Sequence, residues 1–263
     1  MKTIAFLRNF SACILSLLLF SSTSLSAALL YQNNGNNTLT ITGSNPKASG
    51  NLIIPSTINN LPVTGIGDQA FLGNSDLTSV SLPSSITSIG VQAFLGCSGL
   101  TSVTLPSSIT SIGNSAFYGC SGLTSVSLPN SITSIANGAF NACSGLTSVT
   151  IGNSVESIGD DAFRYCTGLT SVRFIGNAPT VGADVFYAAP NVTVYYIAGK
   201  AGWGASFARR PTALWASVEP PTGPVNTLEL QVTTNLTNPI WIPVATNSLP
   251  KSGPRQFYRL IPR

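Results

Sequence analysis

The chain has 263 residues, of which 43% are hydrophobic, 8% are charged and none is histidine. Few charges combined with this hydrophobic content exclude intrinsic disorder for most of the chain, and the lack of histidine excludes Ser-His and Cys-His dyads and imidazole metal ligands. The formal net charge of +4 comes from dispersed basic residues, so a nucleic-acid partner is not expected.

The first predicted element, residues 1–26, has the pattern of a secretory signal peptide. Two basic residues precede the apolar run 13–20, and small residues surround the expected cleavage point between Ser26 and Ala28. The run is too short for a membrane-spanning helix, which needs about 20 apolar residues; a retained N-terminal anchor is the alternative. We therefore expect a secreted or cell-surface protein whose mature chain has no membrane span.

An internal repeat follows, with residues 27–76 as an N-terminal capping region and first repeat, and residues 77–190 as the repeat array. Leucine occupies the same slot of successive units at Leu77, Leu100, Leu123, Leu146 and Leu169. A fixed period with L-x-x-L-x-L spacing is typical of a leucine-rich solenoid. One unit cannot bury its apolar face alone, so stacked units must form a continuous core.

Two extended runs are predicted within each unit. The alternating residues 102–105 predict a strand that pairs in parallel with its copies at about 4.8 Å, and Pro106 ends it because proline has no N–H for the ladder. Residues 109–112 predict a second, looser extended run. Gly113 then turns the chain, but Ala136 stands in that slot one unit later, so a positive φ is not obligatory there.

The unit closes with a predicted short helical turn. Phe117 and Cys120 are three positions apart, a spacing that places both side chains on one side of such a turn, and Gly122 follows it. Together with the parallel strand ladder, these turns predict an α/β solenoid in which each slot packs mainly against its counterpart one coil away.

The unit LTSVTLPSSITSIGNSAFYGCSG, residues 100–122, resembles the BspA-like leucine-rich repeat. The lead-in over residues 39–58 and 66–71 is similar to that family's first unit, so the resemblance covers roughly residues 29–205. It implies a leucine-rich repeat solenoid of a bacterial secreted or surface protein. Family members are associated with adhesion and with binding of host or matrix proteins, but no ligand-contact motif carries over to particular residues.

Three further segments are predicted beyond the array. Residues 191–217 form a C-terminal cap, and the proline-rich residues 218–226 form a linker. Residues 227–263 contain three strand-like runs and the letters FYRL, and they resemble a short C-terminal β module of exported bacterial proteins. Three strands are marginal on their own, and the resemblance implies no defined role for the module.

Four cysteines share one slot of the repeat: Cys97, Cys120, Cys143 and Cys166. An even number in an exported chain can indicate disulfides between neighbouring coils. The other interpretation is a column of buried free thiols, because stacked Cβ atoms run parallel about 4.8 Å apart instead of closing to ~3.8 Å. We favour free thiols; zinc is not expected, since one column of sulfurs cannot surround a metal tetrahedrally.

Acidic residues are the remaining candidates for chemistry. Asp161 and Asp184 share a slot in adjacent coils, with Asp160 beside the first, and carboxylates suit calcium. Arg164 lies close enough to pair locally with either Asp160 or Asp161, so a solvated acidic patch is the favoured interpretation. The acids are not expected to flank a cleft as in glycosidases. The sequence therefore predicts no catalytic, cofactor-binding or metal site, and no enzyme.

The strand surface is the remaining candidate for binding. Its outward slots carry small hydroxyls and one cation and form a candidate ligand face: Ser79, Ser81, Ser102, Thr104, Ser125, Ser127, Ser148, Thr150, Ser171 and Arg173. An equal explanation is that these residues are present only because they are soluble and compatible with a β-strand, without a role in binding. We predict an exported, non-enzymatic recognition or adhesion protein that binds a protein or polysaccharide over the solenoid surface. The alternative is an ice-binding or structural protein that uses the Ser/Thr ladder.

Overall fold

A computed structural model describes residues 27–215 and three strands of the C-terminal part. The predicted signal peptide 1–26 and linker 218–226 lie outside the described residues. The strands of the solenoid are β1 (Ala28–Asn33), β2 (Leu39–Asn45), β3 (Gly50–Ile53), β4 (Thr57–Ile58), β5 (Leu61–Ile66), β6 (Leu77–Ser81), β7 (Ser88–Ile89), β8 (Ser102–Thr104), β9 (Ser111–Ile112), β10 (Ser125–Leu128), β11 (Ser134–Ile135), β12 (Ser148–Ile151), β13 (Ser157–Ile158), β14 (Ser171–Phe174), β15 (Thr180–Val181), β16 (Thr193–Tyr196), β17 (Ser206–Phe207) and β18 (Arg210–Leu214).

Successive coils stack through two parallel ladders. The first, here called the strand face, contains β3, β6 and β8, followed by β10, β12, β14, β16 and β18. The second ladder contains β2, β5, β7 and β9, followed by β11, β13 and β15. The registers pair equivalent residues of neighbouring coils, such as Ser79 with Ser102 and Val126 with Val149. The prediction of a repeat solenoid with a parallel strand ladder is confirmed.

A column of phenylalanines runs through the core. Six rings, each at most 2% exposed, stack on one another with centroids 5.2–5.8 Å apart: Phe71, Phe94, Phe117, Phe140, Phe163 and Phe186. The aliphatic slots of the repeat form parallel columns around these rings. Each coil therefore buries its apolar residues against its two neighbours, which is why the same residue types recur in the same slots.

The predicted helical turn is wrong, and so is the α/β class, because no helix occurs among the described residues. In residues 115–120 the N–H groups of Ser115, Phe117 and Gly119 donate to carbonyls of the next coil at 2.8–2.9 Å, and the intervening N–H groups donate to the carbonyl three residues earlier. Ser115 and Gly119 have positive φ values of 54° and 70°. Consecutive turns, each tied to the next coil, thus replace the i to i−4 bonds of a helix.

Both ladders part at one boundary between coils, here called the seam. Within residues 27–215, β8 is not hydrogen-bonded to β10, and β9 is not hydrogen-bonded to β11. At the other coil boundaries the residue after the second strand donates its N–H across the ladder, as Gly113 does to the Ile89 carbonyl at 2.8 Å. Ala136 occupies the equivalent position at the seam and makes no such bond.

The parting has a steric cause at Ala136. A Cβ placed on Gly113 would lie only 2.6 Å from the backbone of Gly90 and Val91, which is far inside van der Waals contact. Alanine in this slot therefore requires the preceding coil to stand further away. The turns and core still cross the seam, with Phe117 and Phe140 stacked at 5.3 Å, so only the strand ladders open.

The two ends of the array are covered differently. At the N-terminal end, β1 pairs antiparallel with β2. At the C-terminal end, the Trp203 ring stacks on Tyr196 at 5.1 Å and contacts the rings of Phe174 and Phe207 at 4.9 and 5.0 Å. These aromatic contacts shield the last coils of the core from solvent, as capping elements of repeat proteins must.

The C-terminal strands form a separate small sheet. They are β19 (Leu228–Thr233), β20 (Ile242–Val244) and β21 (Phe257–Pro262), and they pair antiparallel in the order β20-β19-β21. Contacts divide the chain into two units, Met1–Ala216 and Ser217–Arg263. Among the described residues, no helix has the length and apolar character needed to cross a membrane.

Candidate functional site

The ten residues predicted as a ligand face form two rows on the outer side of the strand face. All are exposed or half-buried, because alternate strand residues point away from the core. The first row runs through Ser79 and Ser102 and then, after the seam, through Ser125, Ser148 and Ser171; the second runs through Ser81 and Thr104 and then Ser127, Thr150 and Arg173.

The hydroxyl groups of the predicted face are mostly unused within the protein. Ser79 donates to the Asn51 side chain at 2.8 Å, whereas the other serine and threonine hydroxyls of the face make no hydrogen bond inside residues 27–215. The adjacent threonine column differs: Thr101, Thr124, Thr147 and Thr170 each donate to the carbonyl of the equivalent threonine one coil earlier, at 3.0–3.4 Å. The strand-face hydroxyls are therefore free to donate to and accept from a ligand.

A shallow depression of about 410 Å³ lies on the strand face and spans the seam. The residues that line it are Val103, Thr104, Leu105, Ser125, Val126, Ser127, Pro129, Ser148 and Thr150. Its apolar part comes from the half-buried Leu105 and Pro129 beside the strands. The lining combines hydroxyls with apolar surface and contains no charged side chain.

Sequence reasoning missed two ends of this face. Asn51 stands beside Ser79 in β3, but extra residues in the first repeat hide the correspondence. Tyr195 stands beside Arg173 in β16, after a repeat that is one residue shorter. Pairing each strand to its neighbour, instead of counting a fixed period, would have found both residues. They extend the face beyond the predicted slots.

Three of the acidic residues are engaged in structural contacts. Asp161 forms an ion pair with Arg164 at 3.2 Å, which confirms the predicted local pairing, and an Asp160 oxygen accepts the Ala183 backbone N–H at 2.6 Å. The Asp68 carboxylate accepts a hydrogen bond from the Val91 backbone N–H at 2.7 Å in the same way. In the described part of the chain, no group of three His, Cys, Asp or Glu side chains is placed to hold a metal ion.

The four cysteines of the repeat are free and buried. Each thiol donates to the carbonyl of a core phenylalanine, as Cys120 does to Phe94 at 3.2 Å. Burial raises the pKa of Cys97 to about 11 and that of Cys166 to about 12, and it raises the pKa of Cys120 and Cys143 as well. These thiols stay protonated at neutral pH and have neither the charge nor the exposure of a nucleophile.

Stacked coils with a parallel ladder and repeated leucine slots define the class of leucine-rich repeat solenoids. Residues 64–193 match the BspA type leucine rich repeat region in 6 copies. The chain belongs to this BspA-type leucine-rich repeat family. A comparison with curated proteins gives no match.

Two solved bacterial structures are similar to this chain. A leucine-rich repeat protein from T. pallidum is 34% identical with a TM-score of 0.58, and the alignment covers 63% of this chain and 78% of that one. A leucine-rich cell surface protein from Faecalibacterium prausnitzii A2-165 is 29% identical with a TM-score of 0.50, covering 69% of this chain and 55% of that one. This chain thus spans about half of the second protein.

Proposed function

We propose that the protein is a non-catalytic recognition or adhesion protein that binds a protein or polysaccharide through its strand face. The observation that carries the proposal is the set of unused hydroxyls on this face, set against the threonine column whose hydroxyls are bonded internally. A row of free donors and acceptors beside apolar surface is what a ligand-binding surface requires.

The composition of the depression favours an uncharged ligand region. Its lining has hydroxyl, valine, leucine and proline surface, so a charged ligand group would lose hydration there without gaining a partner. Arg173, at one end of the face, is half-buried with its guanidinium 5.8 Å from the Trp215 ring centroid. An extended ligand that crosses several coils would therefore place its neutral part over the seam.

Export to the cell surface or medium is part of the proposal. Its support is the signal-peptide pattern of residues 1–26 and the similarity to a protein described as a cell surface protein. The ice-binding or structural alternative is not favoured, because the seam interrupts the hydroxyl rows between Thr104 and Ser127 and a water-ordering surface needs an unbroken spacing.

Binding to glycan arrays and to immobilised protein extracts, compared between two matched variants, tests the proposal. Ser127 and Ser134 are exposed strand residues of the same coil on opposite ladders. We expect Ser127→Tyr, which fills the depression, to weaken binding at least about tenfold and Ser134→Tyr to leave it unchanged. Equal binding by wild type and Ser127→Tyr would argue against the strand face.

A further inference from the structure

A second surface, away from the strand face, carries exposed aromatic rings. The turns at residues 115–120, 161–166 and 184–189 line one edge of the solenoid, here called the turn edge. Tyr118, Tyr165 and Tyr187 lie on it and are 39%, 44% and 51% exposed. Most surface tyrosines need no explanation singly, but Tyr165 and Tyr187 lie in contact with each other.

These two rings form a corner held by one arginine. Their centroids are 5.8 Å apart and their planes are at 89°. The Arg164 guanidinium lies 5.0 Å from the Tyr165 centroid and 4.7 Å from that of Tyr187. Arg164 also donates to Asp161 at 3.2 Å and to the Tyr165 hydroxyl at 3.4 Å. The corner is thus fixed in place before any ligand binds, which lowers the entropy cost of binding.

Tyr165 occupies a backbone position that suits glycine. Its φ is 57°, in the left-handed region that bulky residues rarely adopt. Gly73, Gly96 and Gly119 fill the same slot in earlier coils with φ of 64–72°. The Tyr165 ring is nearly half exposed, so core packing does not account for an aromatic residue in this strained position.

We infer that the corner formed by Tyr165, Tyr187 and Arg164 binds a neutral sugar residue of a polysaccharide. The C–H face of a pyranose ring packs against an aromatic ring. Although Arg164 lies over a face of each ring, Tyr165 and Tyr187 keep 44% and 51% of their surface exposed, which leaves aromatic surface for such packing. The phenol hydroxyls and the Asp161 carboxylate provide donors and acceptors for sugar hydroxyls. This site is separate from the strand face and does not depend on the function proposed for that face.

The charges around the corner balance, which favours a neutral ligand over an acidic one. Asp161 neutralises Arg164 through their ion pair. The exposed Asp184 lies one coil further in the slot of Asp161, and Arg210 donates to the neighbouring Phe186 carbonyl at 2.6 Å. An anionic sugar, a phosphate or an acidic peptide would find no net positive charge here. A partner protein would need a much larger contact area, of the order of 800 Å² on each side, than two rings supply.

Affinity electrophoresis tests the inference with the full chain in native gels containing glucomannan, xyloglucan, laminarin or galactomannan, and alginate as the acidic control. We expect at least one neutral polysaccharide to retard the wild type, and Tyr165→Gly and Tyr187→Ala to weaken that binding at least about tenfold. Tyr118→Ala is the matched control, because Tyr118 is an exposed tyrosine of the same edge outside the corner, and it should bind like the wild type. Tyr165→Gly restores the residue of other coils, so it should fold with an unchanged or higher thermal midpoint.

Several outcomes would overturn the inference. These are no retardation by any neutral polysaccharide, retardation by alginate alone, and an equal loss of binding in Tyr118→Ala. Ser127→Tyr separates the two surfaces: if it abolishes retardation while Tyr165→Gly and Tyr187→Ala do not, the strand face binds the polysaccharide and the corner does not.

Discussion

Single residues in this solenoid repeat their surroundings from coil to coil, and the thiol column shows the consequence. Cys97, Cys120, Cys143 and Cys166 are each fully buried, and each donates to a core carbonyl. Burial disfavours the thiolate, so the pKa of every one of these thiols is raised. The column acts as a set of small apolar side chains with one weak donor each.

The raised pKa values predict a loss of stability in alkali. A thiol in the unfolded chain ionises near pH 9.0, whereas Cys97 ionises only near pH 11 in the folded protein. Stability from protonated thiols is therefore complete below pH 9.0 and is lost as pH rises toward the folded-state values. For each thiol we expect the unfolding free energy to fall by about 1.4 kcal/mol per pH unit in this range.

Urea denaturation of the wild type and Cys120→Ala across this pH range measures the effect. The variant lacks one titrating thiol, so its unfolding free energy should decline less steeply by about 1.4 kcal/mol per pH unit. All other side chains are common to both proteins, so their contribution cancels in the comparison. Parallel pH profiles would mean that Cys120 does not titrate as a buried thiol.

Strands and turns are held by different sets of hydrogen bonds. The N–H group that follows the second strand of a coil donates to the preceding coil, as Gly113 does to Ile89, whereas the turns donate alternate N–H groups to the following coil, as Phe117 does to Ala139. A coil boundary can therefore lose its ladders and keep its turns. The seam is such a boundary, since the turn bonds of Ser115, Phe117 and Gly119 across it remain at 2.8–2.9 Å.

Gly113→Ala tests the steric account of the ladder. The new Cβ has no room against Gly90 and Val91, so the substitution should part a second boundary and lower the unfolding free energy by about 1–3 kcal/mol. Chemical denaturation measures this change. Ala116→Gly, another substitution in the same coil, is the control for a general loss of stability. A Gly113→Ala protein as stable as the wild type would show that the slot has room for a Cβ.

The fold of the solenoid was largely predictable because residues that recur at one period pack against their equivalents in neighbouring coils. Slots such as Leu100, Phe117 and Cys120 recur at one spacing, and each packs on its own copy, so the core columns follow from the sequence alone. The helical turn was a wrong prediction because a three-residue spacing of Phe117 and Cys120 also results from two turns with positive φ. The periodicity indicates which side chains lie on the same side of the chain, but it does not distinguish a helical turn from two turns with positive φ.

The seam shows what the sequence could not supply. Ala136 stood out as a departure from glycine, and it correctly indicated that the slot does not require a positive φ, but it did not reveal why glycine is preferred there. Gly113 does not have a positive φ; it is needed because the next backbone lies too close for a Cβ. The distance between the backbones of neighbouring coils depends on how the coils stack, so the sequence of one coil does not show it. Which hydroxyls of the candidate face are unused likewise depends on the internal hydrogen bonds of the fold, which the sequence does not show.

Hydrogen–deuterium exchange across the whole solenoid tests the central claim, that Ala136 parts the ladders at one seam and opens the strand face. In the wild type, amides of residues 102–113 and 125–136, on the two sides of the seam, should exchange faster than those of residues 79–90 and 148–159, and Ala136→Gly should bring them to the same protection. Ala142→Gly, the same change elsewhere in the coil, should leave them fast. Uniform protection of all four segments in the wild type, or unchanged exchange in Ala136→Gly, would contradict the claim.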